Sequence, residues 1–274
     1  MSNSDRPLRS KMPSGESPRT RGAVSVCMAT FNGEQFLGHQ MQSILEQLSP
    51  VDEIVISDDA SSDRTLDLID SACDARVKVA RNKHRCGPVG NFQRAVAMAR
   101  NEYVLFADQD DVWLPGKLEV CRQALARVDV VVTDCRVVNA AGEETSPSLF
   151  DLRGSGPGVL RNLYKNGFVG CCMGVRSDFL DKCLPFPRFI PMHDWWIGLM
   201  ASAVGRVEFI QTPYLLYRRH ATALSPTAAG TGYGPMRKTL NRVTLATLLA
   251  CRIVCLTTRN WRRPTHDESK DAAQ

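Results

Sequence analysis

The segment EYVLFADQDDVW, residues 102–113, places three carboxylates within four positions directly after an apolar run. Asp108, Asp110 and Asp111 repel one another when ionised, and burying them without partners costs several kcal/mol. Carboxylates two residues apart after a strand commonly hold a hard divalent cation, which completes its shell with water and substrate phosphates. This spacing therefore predicts a Mg²⁺ or Mn²⁺ site with Asp110 as a ligand, and a substrate that carries phosphate.

Familiar phosphate-binding loops are missing from the sequence. It contains neither a GxxxxGK[ST] motif nor a GxGxxG motif. We therefore expect neither a P-loop enzyme nor a dinucleotide-dependent dehydrogenase.

The elements around the acidic segment alternate between strands and helices. Hydrophobic periodicity predicts strands at residues 24–29, 53–57, 77–80, 103–107 and 128–134, and helices at 34–48, 63–73, 89–100 and 115–127. Such alternation with short links is typical of parallel βαβ units with helices on both faces of a sheet. Because ligands bind at the carboxyl ends of such strands, the polar segments ATFNGE, SDDASSD and ADQDD are expected to meet in one crevice.

Composition and charge restrict the class of protein. The 274 residues are 43% hydrophobic and 23% charged, as in ordinary globular domains. The net charge of +5 is concentrated at the ends, since residues 1–22 and 231–264 are basic while the middle is slightly acidic. A nucleic-acid-binding protein would carry its bases on its main folded face, so we expect no nucleic-acid partner. Residues 1–22 are predicted to form a disordered basic tail.

The ten cysteines form no C-x-x-C pair and lie in apolar segments such as VSVCMA and LLACRIVCL. They are interpreted as small buried residues in a reducing compartment. The first residues lack the apolar run of a secretory signal, and no uninterrupted stretch approaches the roughly 18 apolar residues of a membrane span. A cytoplasmic location is therefore expected.

Five motifs together resemble a known family. VSVCMATFNGEQFLGHQMQSILEQ, EIVISDDASSDRTLDLI, GPVGNFQRAVAMARNEYVLFADQDDVWLPGKL, HDWW and YRRHA occur in the order and spacing of the inverting family 2 glycosyltransferases. The resemblance covers about residues 23–222 and is greatest to bacterial rhamnosyltransferase-type enzymes. It implies the GT-A fold, an α/β Rossmann-like mixed sheet flanked by helices. It also implies one catalytic domain over 23–230, with a nucleotide-sugar and metal half (23–135) and an acceptor half (136–230).

The resemblance also implies roles for individual residues. The implied nucleotide-sugar-binding residues are Thr30, Phe31, Asn32, Asp59, Asn91, Asp108, Gln109 and Asp110. Asp59 would accept the imide N–H of uracil or thymine, and Asp108 would contact the ribose. Asp110 would bind Mg²⁺ or Mn²⁺, with His220 as a further metal or diphosphate contact. Asp194 of HDWW would be the catalytic base that takes the proton of the acceptor hydroxyl.

The implied reaction moves a sugar from a nucleoside diphosphate-sugar to an acceptor hydroxyl with inversion. A UDP- or dTDP-sugar is expected because Asp59 can read an imide, and dTDP-rhamnose follows from the subgroup alone. The acceptor would be a saccharide or a lipid-linked saccharide, in cell-surface polysaccharide synthesis. A location on the cytoplasmic face of the membrane would suit such an acceptor.

Structural interpretations compete at several of these positions. Asp58 and Asp63 fit turn formers or helix caps, and Asp111 fits a supporting acid better than a ligand. Asp194 also fits the capped start of a helix predicted near 193–204, and His220 fits a solvated strand end. His193 is expected to be structural. Of Trp195 and Trp196, one is expected in the core, while the other is free to stack on the sugar or the acceptor.

The C-terminal segment 231–274 is predicted to contain a basic amphipathic helix. Between residues 236 and 256, apolar residues recur at helical spacing with the bases 237, 238, 242 and 252 between them. Such a helix suits a membrane interface, where peripheral contact is the expected role. The alternative is a helix packed on the domain, with Arg252 reaching towards solvent.

Three rival functions remain on sequence grounds. A haloacid-dehalogenase-type phosphatase would share the strand followed by DxDxV, but it needs that motif on its first strand. A sugar-nucleotide pyrophosphorylase would need a Gly-rich basic loop after its first strand, which ATFNGEQF is not. A transferase fold that has lost activity and only docks on membranes is the third.

Overall fold

The computed structural model describes residues 19–220 and 234–261, with side chains up to residue 258. Residues 1–18 of the predicted tail therefore lie outside the described residues. The same holds for residues 221–233, between the acceptor half and the C-terminal helix, and for the end of the chain from residue 262.

Within the described residues, nine strands form one mixed sheet. They are β1 (Thr20–Thr30), β2 (Glu53–Asp58), β3 (Val77–Arg81), β4 (Asn101–Asp108), β5 (Val112–Trp113), β6 (Val130–Val138), β7 (Glu144–Ser146), β8 (Met173–Arg176) and β9 (Val207–Arg218). The order across the sheet is β3-β2-β1-β4-β8-β6-β9-β5, with β7 pairing with β6. The first four strands are parallel, and β8 is antiparallel to both of its neighbours.

Helices cover the sheet. They are α1 (Leu37–Leu45), α2 (Thr65–Ser71), α3 (Gly87–Met98), α4 (Lys117–Leu125), α5 (Leu149–Arg153), α6 (Val159–Tyr164), α7 (Ser177–Cys183), α8 (His193–Val204) and α9 (Pro235–Trp261). The strands β2 and β6 are almost wholly buried, as expected of strands that are packed on both faces of the sheet. The α/β mixed sheet flanked by helices is thus confirmed.

The predicted convergence of strand ends is confirmed by the register. Ala29 of β1 lies opposite Asp108 of β4, and Thr30 lies opposite Asp58 of β2. The carboxyl ends of three neighbouring strands are therefore level at one edge of the sheet. The polar segments that follow them open on the same side.

The predicted start of the first strand was wrong. β1 begins at Thr20, so its first three residues fall in the segment predicted as tail. The short antiparallel strand β8 lies between β4 and β6 in the sheet. Gly174 allows this close packing, since a Cβ there would lie 3.0 Å from Val131 Cγ1.

Cysteine burial follows the prediction for most positions and departs from it on the last helix. All ten cysteines, every one within the described part of the chain, are unpaired. Six are buried, but Cys251 and Cys255 of LLACRIVCL are exposed, as are Cys73 and Cys86. The interpretation of these four cysteines as buried residues was therefore wrong.

The segment Pro235–Thr258 of helix α9 is long and apolar enough to cross a membrane by length and composition alone. By this measure it departs from the expectation that no stretch approaches a membrane span. In the structure α9 packs against α6 and α8. Leu245 is fully buried in that contact and Leu249 nearly so.

Candidate functional site

A cavity of about 510 Å³ opens where β1, β2 and β4 end. It gathers most of the residues singled out from the sequence. Those in its lining are Thr30, Phe31, Asn32, Asp59, Asn91, Asp108, Gln109, Asp110 and His220. Asp194 is not in this lining, although it is close enough to Asp108 for the two carboxylates to influence each other.

The first loop of the cavity is fixed by the acidic motif itself. Gln109 Oε1 accepts a hydrogen bond from the Phe31 backbone N–H (2.8 Å), and Gln109 Nε2 donates to the Phe31 carbonyl (3.0 Å). The loop reaches β2 through Asn32, whose N–H donates to Ser61 Oγ and whose Oδ1 accepts from the Ser62 N–H. The Arg85 guanidinium lies over the Phe31 ring at 3.6 Å. Gln109 therefore positions the loop as well as lining the cavity.

Asp59 holds the loop that follows β3. Its Oδ1 accepts from the Cys86 N–H (2.7 Å), the Cys86 thiol and Asn82 Nδ2, while Oδ2 accepts from the Gly87 N–H (3.0 Å). Burial alone would raise the pKa of Asp59, but these hydrogen bonds outweigh it and lower the pKa. Asp59 is therefore an anionic acceptor at the cavity wall, with more lone-pair capacity left on Oδ2 than on Oδ1.

Asn91, buried on α3, closes the cavity from beneath. Its Nδ2 donates to the Thr30 carbonyl (3.2 Å), and its Oδ1 accepts from Asn82 Nδ2 (3.0 Å). Asn82 in turn accepts a hydrogen bond from Arg94. This network connects α3, β1 and the loop after β3, so the cavity wall is braced on three elements.

Asp58 and Asp63 have the structural role of turn formers or helix caps. Asp58, fully buried, accepts hydrogen bonds from Thr30 Oγ1, the Ser61 N–H and Ser61 Oγ. Asp63 accepts from the N–H and Oγ1 of Thr65 at the start of α2, and from the Glu34 N–H. Both therefore hold turns together.

Asp108 and Asp111 lie in a strongly anionic environment. Burial, with Asp110 and Asp194 nearby, raises the pKa of Asp108 to about 7. Asp111 is buried, and both burial and the neighbouring carboxylates raise its pKa well above the usual range. Its Oδ1 accepts from the Arg218 N–H (3.0 Å), whereas Oδ2 has no hydrogen-bond partner among the described residues.

Asp110 is paired with the predicted histidine. Its Oδ2 lies 2.7 Å from His220 Nε2. Arg218 Nε donates to the Asp110 carbonyl (3.0 Å), and the Arg218 guanidinium lies 4.7 Å from the Phe36 ring centre. These contacts hold the end of β9 against the acidic motif.

The donor set around Asp110 fits a divalent cation. A carboxylate oxygen and an imidazole nitrogen converge there, and the crowded acids beside them raise the pKa values of Asp108 and Asp111, a repulsion that a bound cation would offset. Asp108, Asp111 and Cys171 also bring one potential ligand atom each within 4.8 Å of one another. Oxygen ligands suit Mg²⁺ or Mn²⁺ better than the thiol does.

Asp194 is placed at the start of α8 by a short network. Its Oδ1 accepts from the Trp195 N–H (2.6 Å) and from Asn166 Nδ2 (3.5 Å), and its Oδ2 accepts from the Gly170 N–H (3.2 Å). Burial raises the pKa of Asp194 to about 6, although these donors and the charge of Arg153 lower it in part. Such a carboxylate is ionised near neutral pH and remains basic enough to accept a proton.

The neighbours of Asp194 are structural. His193 is buried among Phe92, Phe106 and Phe186, with ring centroids 4.0 to 6.3 Å away. Trp196 is fully buried and donates to the Cys183 carbonyl, whereas Trp195 is half-buried and donates to the Asn162 carbonyl. Trp196 is therefore the core residue of the pair.

Several residues of the site were missed from the sequence. Gln40 is buried on α1 and donates to the Asp108 carbonyl (2.8 Å). Asn82, Asn166 and Arg218 also hold predicted site residues in place. Asn82, Asn166 and Arg218 lie in loops or at the end of an element, where hydrophobic periodicity carries no signal. Gln40 lies inside α1, where a buried polar side chain departs from that periodicity.

The mixed sheet flanked by helices, with a cavity at the carboxyl ends of β1, β2 and β4, has the architecture of the GT-A fold. The chain belongs to glycosyl transferase family 2, whose family model matches residues 25–184, more than half of the chain. It is therefore a glycosyltransferase. The comparisons give no support to the phosphatase, pyrophosphorylase or inactive-module alternatives.

Two relatives are named glycosyltransferases. The chain is 24% identical over 209 residues to the UDP-Glc:alpha-D-GlcNAc-diphosphoundecaprenol beta-1,3-glucosyltransferase WfgD of Escherichia coli, covering 74% of this chain and 79% of WfgD. It is 26% identical over 211 residues to the dTDP-rhamnosyl transferase RfbG of Shigella flexneri, covering 70% of this chain and 71% of RfbG.

Solved structures show the same fold. The complex of S. aureus TarS residues 1–349 with UDP-GlcNAc aligns with a TM-score of 0.65 at 22% identity, covering 85% of this chain and 66% of TarS 1–349. The mannosyltransferase PcManGT of Pyrobaculum calidifontis, in complex with GDP-Man and Mn²⁺, aligns with a TM-score of 0.56 at 18% identity, covering 93% and 80%. Glycosyltransferases of this fold typically use a divalent metal.

Proposed function

We propose that the protein transfers a sugar from a uridine or thymidine diphosphate-sugar to an acceptor hydroxyl with inversion at the anomeric carbon. The observation that carries the proposal is the meeting of Asp59, Asp108 and Asp110 in one cavity, with the basic carboxylate of Asp194 beside it. Donor recognition and proton acceptance are thereby assigned to different carboxylates.

Asp59 is assigned to the nucleobase. An ionised carboxylate is a strong acceptor for an imide N–H, and the lowered pKa keeps Asp59 ionised. Its Oδ2 accepts a hydrogen bond from the Gly87 N–H and lies 3.9 Å from Arg85 Nε, so a further lone pair can face the base. Uracil and thymine both present such an N–H, and Phe31 offers an aromatic face beside them.

The diphosphate is assigned to the opposite wall, beside Asp108 and Asp110. Asp110 and His220 would hold Mg²⁺ or Mn²⁺ there, with Asp108 at the ribose. The bound cation supplies charge neutralisation for the leaving nucleoside diphosphate. Arg218 holds this wall in place through the Asp110 carbonyl.

Asp194 is assigned the role of the base that accepts the proton of the acceptor hydroxyl. As the acceptor oxygen attacks the anomeric carbon, the bond to the diphosphate breaks and the hydroxyl proton passes to the Asp194 carboxylate. A single attack from the face opposite the leaving group inverts the centre. No carboxylate nucleophile is needed, in contrast to a retaining glycosidase.

The finer identities follow the relatives. RfbG is a dTDP-rhamnosyl transferase, so dTDP-rhamnose is the first donor to test. WfgD acts on a diphosphoundecaprenol-linked sugar, which supports a lipid-linked saccharide acceptor here. Such an acceptor requires peripheral contact with the cytoplasmic face of a membrane, and α9 is the element proposed to make it.

The test is donor binding and slow donor hydrolysis over a panel of nucleotide-sugars, with Mg²⁺, Mn²⁺ or chelator. We expect one uridine or thymidine diphosphate-sugar to bind only with metal. Asp110→Asn is expected to abolish this binding, and Asp194→Asn to keep binding while losing turnover. Metal-independent binding, or binding of no nucleotide-sugar at all, would sink the proposal. Asp181→Asn is the matched control, because Asp181 is exposed and lies away from the cavity.

A further inference from the structure

Helix α9 has two apolar faces, and only one of them is covered. The inner face carries Asn241, Leu245 and Leu249, all buried against the domain. The opposite face carries Met236, Leu240, Val243 and Val254, which are 55% to 86% exposed. With Thr247 and Ala250 between them, these positions recur every three or four residues and form one stripe along the helix.

A second element extends this exposed surface. Leu160 and Tyr164 of α6 stand one turn apart and are 82% and 69% exposed. Arg242 of α9 donates to the Tyr164 carbonyl (3.0 Å), and its guanidinium lies 4.3 Å from the centre of the Tyr164 ring. We call the exposed residues of both helices, Leu160, Tyr164, Met236, Leu240, Val243 and Val254, the outer stripe.

The charge around the outer stripe has one sign. No acidic residue occurs between Asp151 and Asp178, the segment that contains α6, or between Glu208 and Asp267, the segment that contains α9. Arg161 lies on α6 and Lys165 follows it, and Arg237 and Lys238 lie in the first turn of α9; all four are exposed. Exposed large apolar side chains on segments whose charged residues are all basic fit an anionic lipid surface.

We propose that the outer stripe docks the enzyme on an anionic bilayer, with α9 lying flat in the interface. The inference deepens the proposed function and rests on it for the lipid-linked acceptor. The part of the stripe on α9, from Met236 to Val254, would place about 27 Å of helix against lipid, at 1.5 Å per residue. A second copy of the chain fits less well, because a symmetric contact would bring the bases of two copies together with no acid to pair them.

The contacts of the inner face of α9 with the domain disfavour an orientation in which this helix spans the membrane. Arg252 donates to the carbonyls of Lys182 and Leu184 and, through its other terminal nitrogen, to that of Pro185. A helix that crossed the membrane would have to leave these partners and carry the guanidinium and buried Asn241 into hydrocarbon. Lying flat keeps the inner face packed and presents only the outer stripe to lipid.

The test is co-sedimentation with vesicles of phosphatidylcholine alone, or mixed equally with phosphatidylglycerol. Wild type is expected to bind the mixed vesicles, and the pair Leu240→Asp with Val243→Asp to lose that binding. Arg237→Gln with Lys238→Gln is expected to weaken it by on the order of tenfold or more, since each base near an anionic surface contributes about 1 kcal/mol. Val51→Asp is the matched control, because Val51 is 58% exposed on another part of the surface.

Three results would overturn the proposal: no binding by wild type, equal binding by the Leu240 and Val243 variant, or equal loss in the Val51 control. Sedimentation velocity without lipid tests whether the stripe instead binds a second copy of the chain. If the wild type is a dimer and the Leu240 and Val243 variant is a monomer, the stripe is a self-association surface. Resistance of membrane-bound protein to alkaline carbonate would assign a span instead. Donor hydrolysis in solution is scored separately, so failure of the catalytic proposal would leave the vesicle result interpretable.

Discussion

The side-chain amide of Gln109 pairs with both backbone polar groups of Phe31, at 2.8 and 3.0 Å. This pairing joins the loop after β1 to the acidic motif after β4, so two parts of the cavity lining are positioned together. An amide can do this because it carries a donor and an acceptor side by side. A carboxylate or an alkyl side chain of similar size cannot.

Gln109→Glu is expected to raise the KM for the donor by roughly tenfold with a smaller effect on kcat. The carboxylate still accepts from the Phe31 N–H, but it repels the Phe31 carbonyl and leaves it unpaired, which costs about 1 to 3 kcal/mol. Steady-state donor hydrolysis measures the split. Gln211→Glu, on an exposed position of β9, is the control. A fall in kcat with unchanged KM would contradict the positioning role.

Gly33→Ala tests the same contact from the other side. A Cβ at Gly33 would lie 2.4 Å from Gln109 Oε1, so the amide must move away from Phe31. We expect a similar rise in donor KM. Gly38→Ala is the matched control on α1, where a Cβ meets nothing within 4 Å, and it should leave donor binding unchanged. Equal effects of the two substitutions would show that the loop does not depend on the amide pairing.

The sequence predicted which strand ends meet at the site, but it did not predict the packing of the elements around them. The convergence of β1, β2 and β4 followed from periodicity and from the rule for parallel strand ends, because both depend on local pattern. The insertion of β8 did not, since a four-residue strand pairing with β4 across a long sequence separation leaves no local signal. The two apolar faces of α9 were merged into one for the same reason, because periodicity does not reveal which residues meet the domain.

Transfer is expected to fall as pH drops below about 6, because Asp194 must be ionised to accept the proton. Its pKa is raised above the ordinary aspartate value, so this acid limb lies at higher pH than an exposed carboxylate would give. The measurement is kcat for transfer at saturating donor and metal, from pH 5 to 8. Donor binding is measured at each pH as a control, since protonation of Asp108 would weaken binding instead. A residual rate in Asp194→Asn with the same limb would assign the limb to another group.

Asn82→Ala is expected to loosen the wall that holds Asp59. Asn82 Nδ2 bridges Asp59 Oδ1 and Asn91 Oδ1, and its loss leaves both acceptors with fewer donors. Donor affinity should fall by about three- to tenfold, the effect of one hydrogen bond, while the metal requirement stays. Asn139→Ala is a control of the same type, because Asn139 braces an exposed turn near Glu143. Unchanged affinity in Asn82→Ala would mean that the Cys86 and Gly87 N–H groups alone position Asp59.

His193 makes folding stability depend on pH. Burial lowers its pKa to about 3, below the unfolded value near 6.5, so the unfolded chain binds the proton first. The contribution of neutral His193 to the free energy of unfolding is therefore fully present above about pH 6.5. It falls by roughly 1.4 kcal/mol per pH unit as the pH drops towards 3. The His193 ring has no hydrogen-bond partner among the described residues and packs against three phenylalanines. His193→Phe should therefore remove this pH-dependent part of the free energy of unfolding. Urea unfolding between pH 7 and 5 measures it, with exposed His39→Gln as control. If the wild-type slope persists in His193→Phe, the acid sensitivity belongs to other groups.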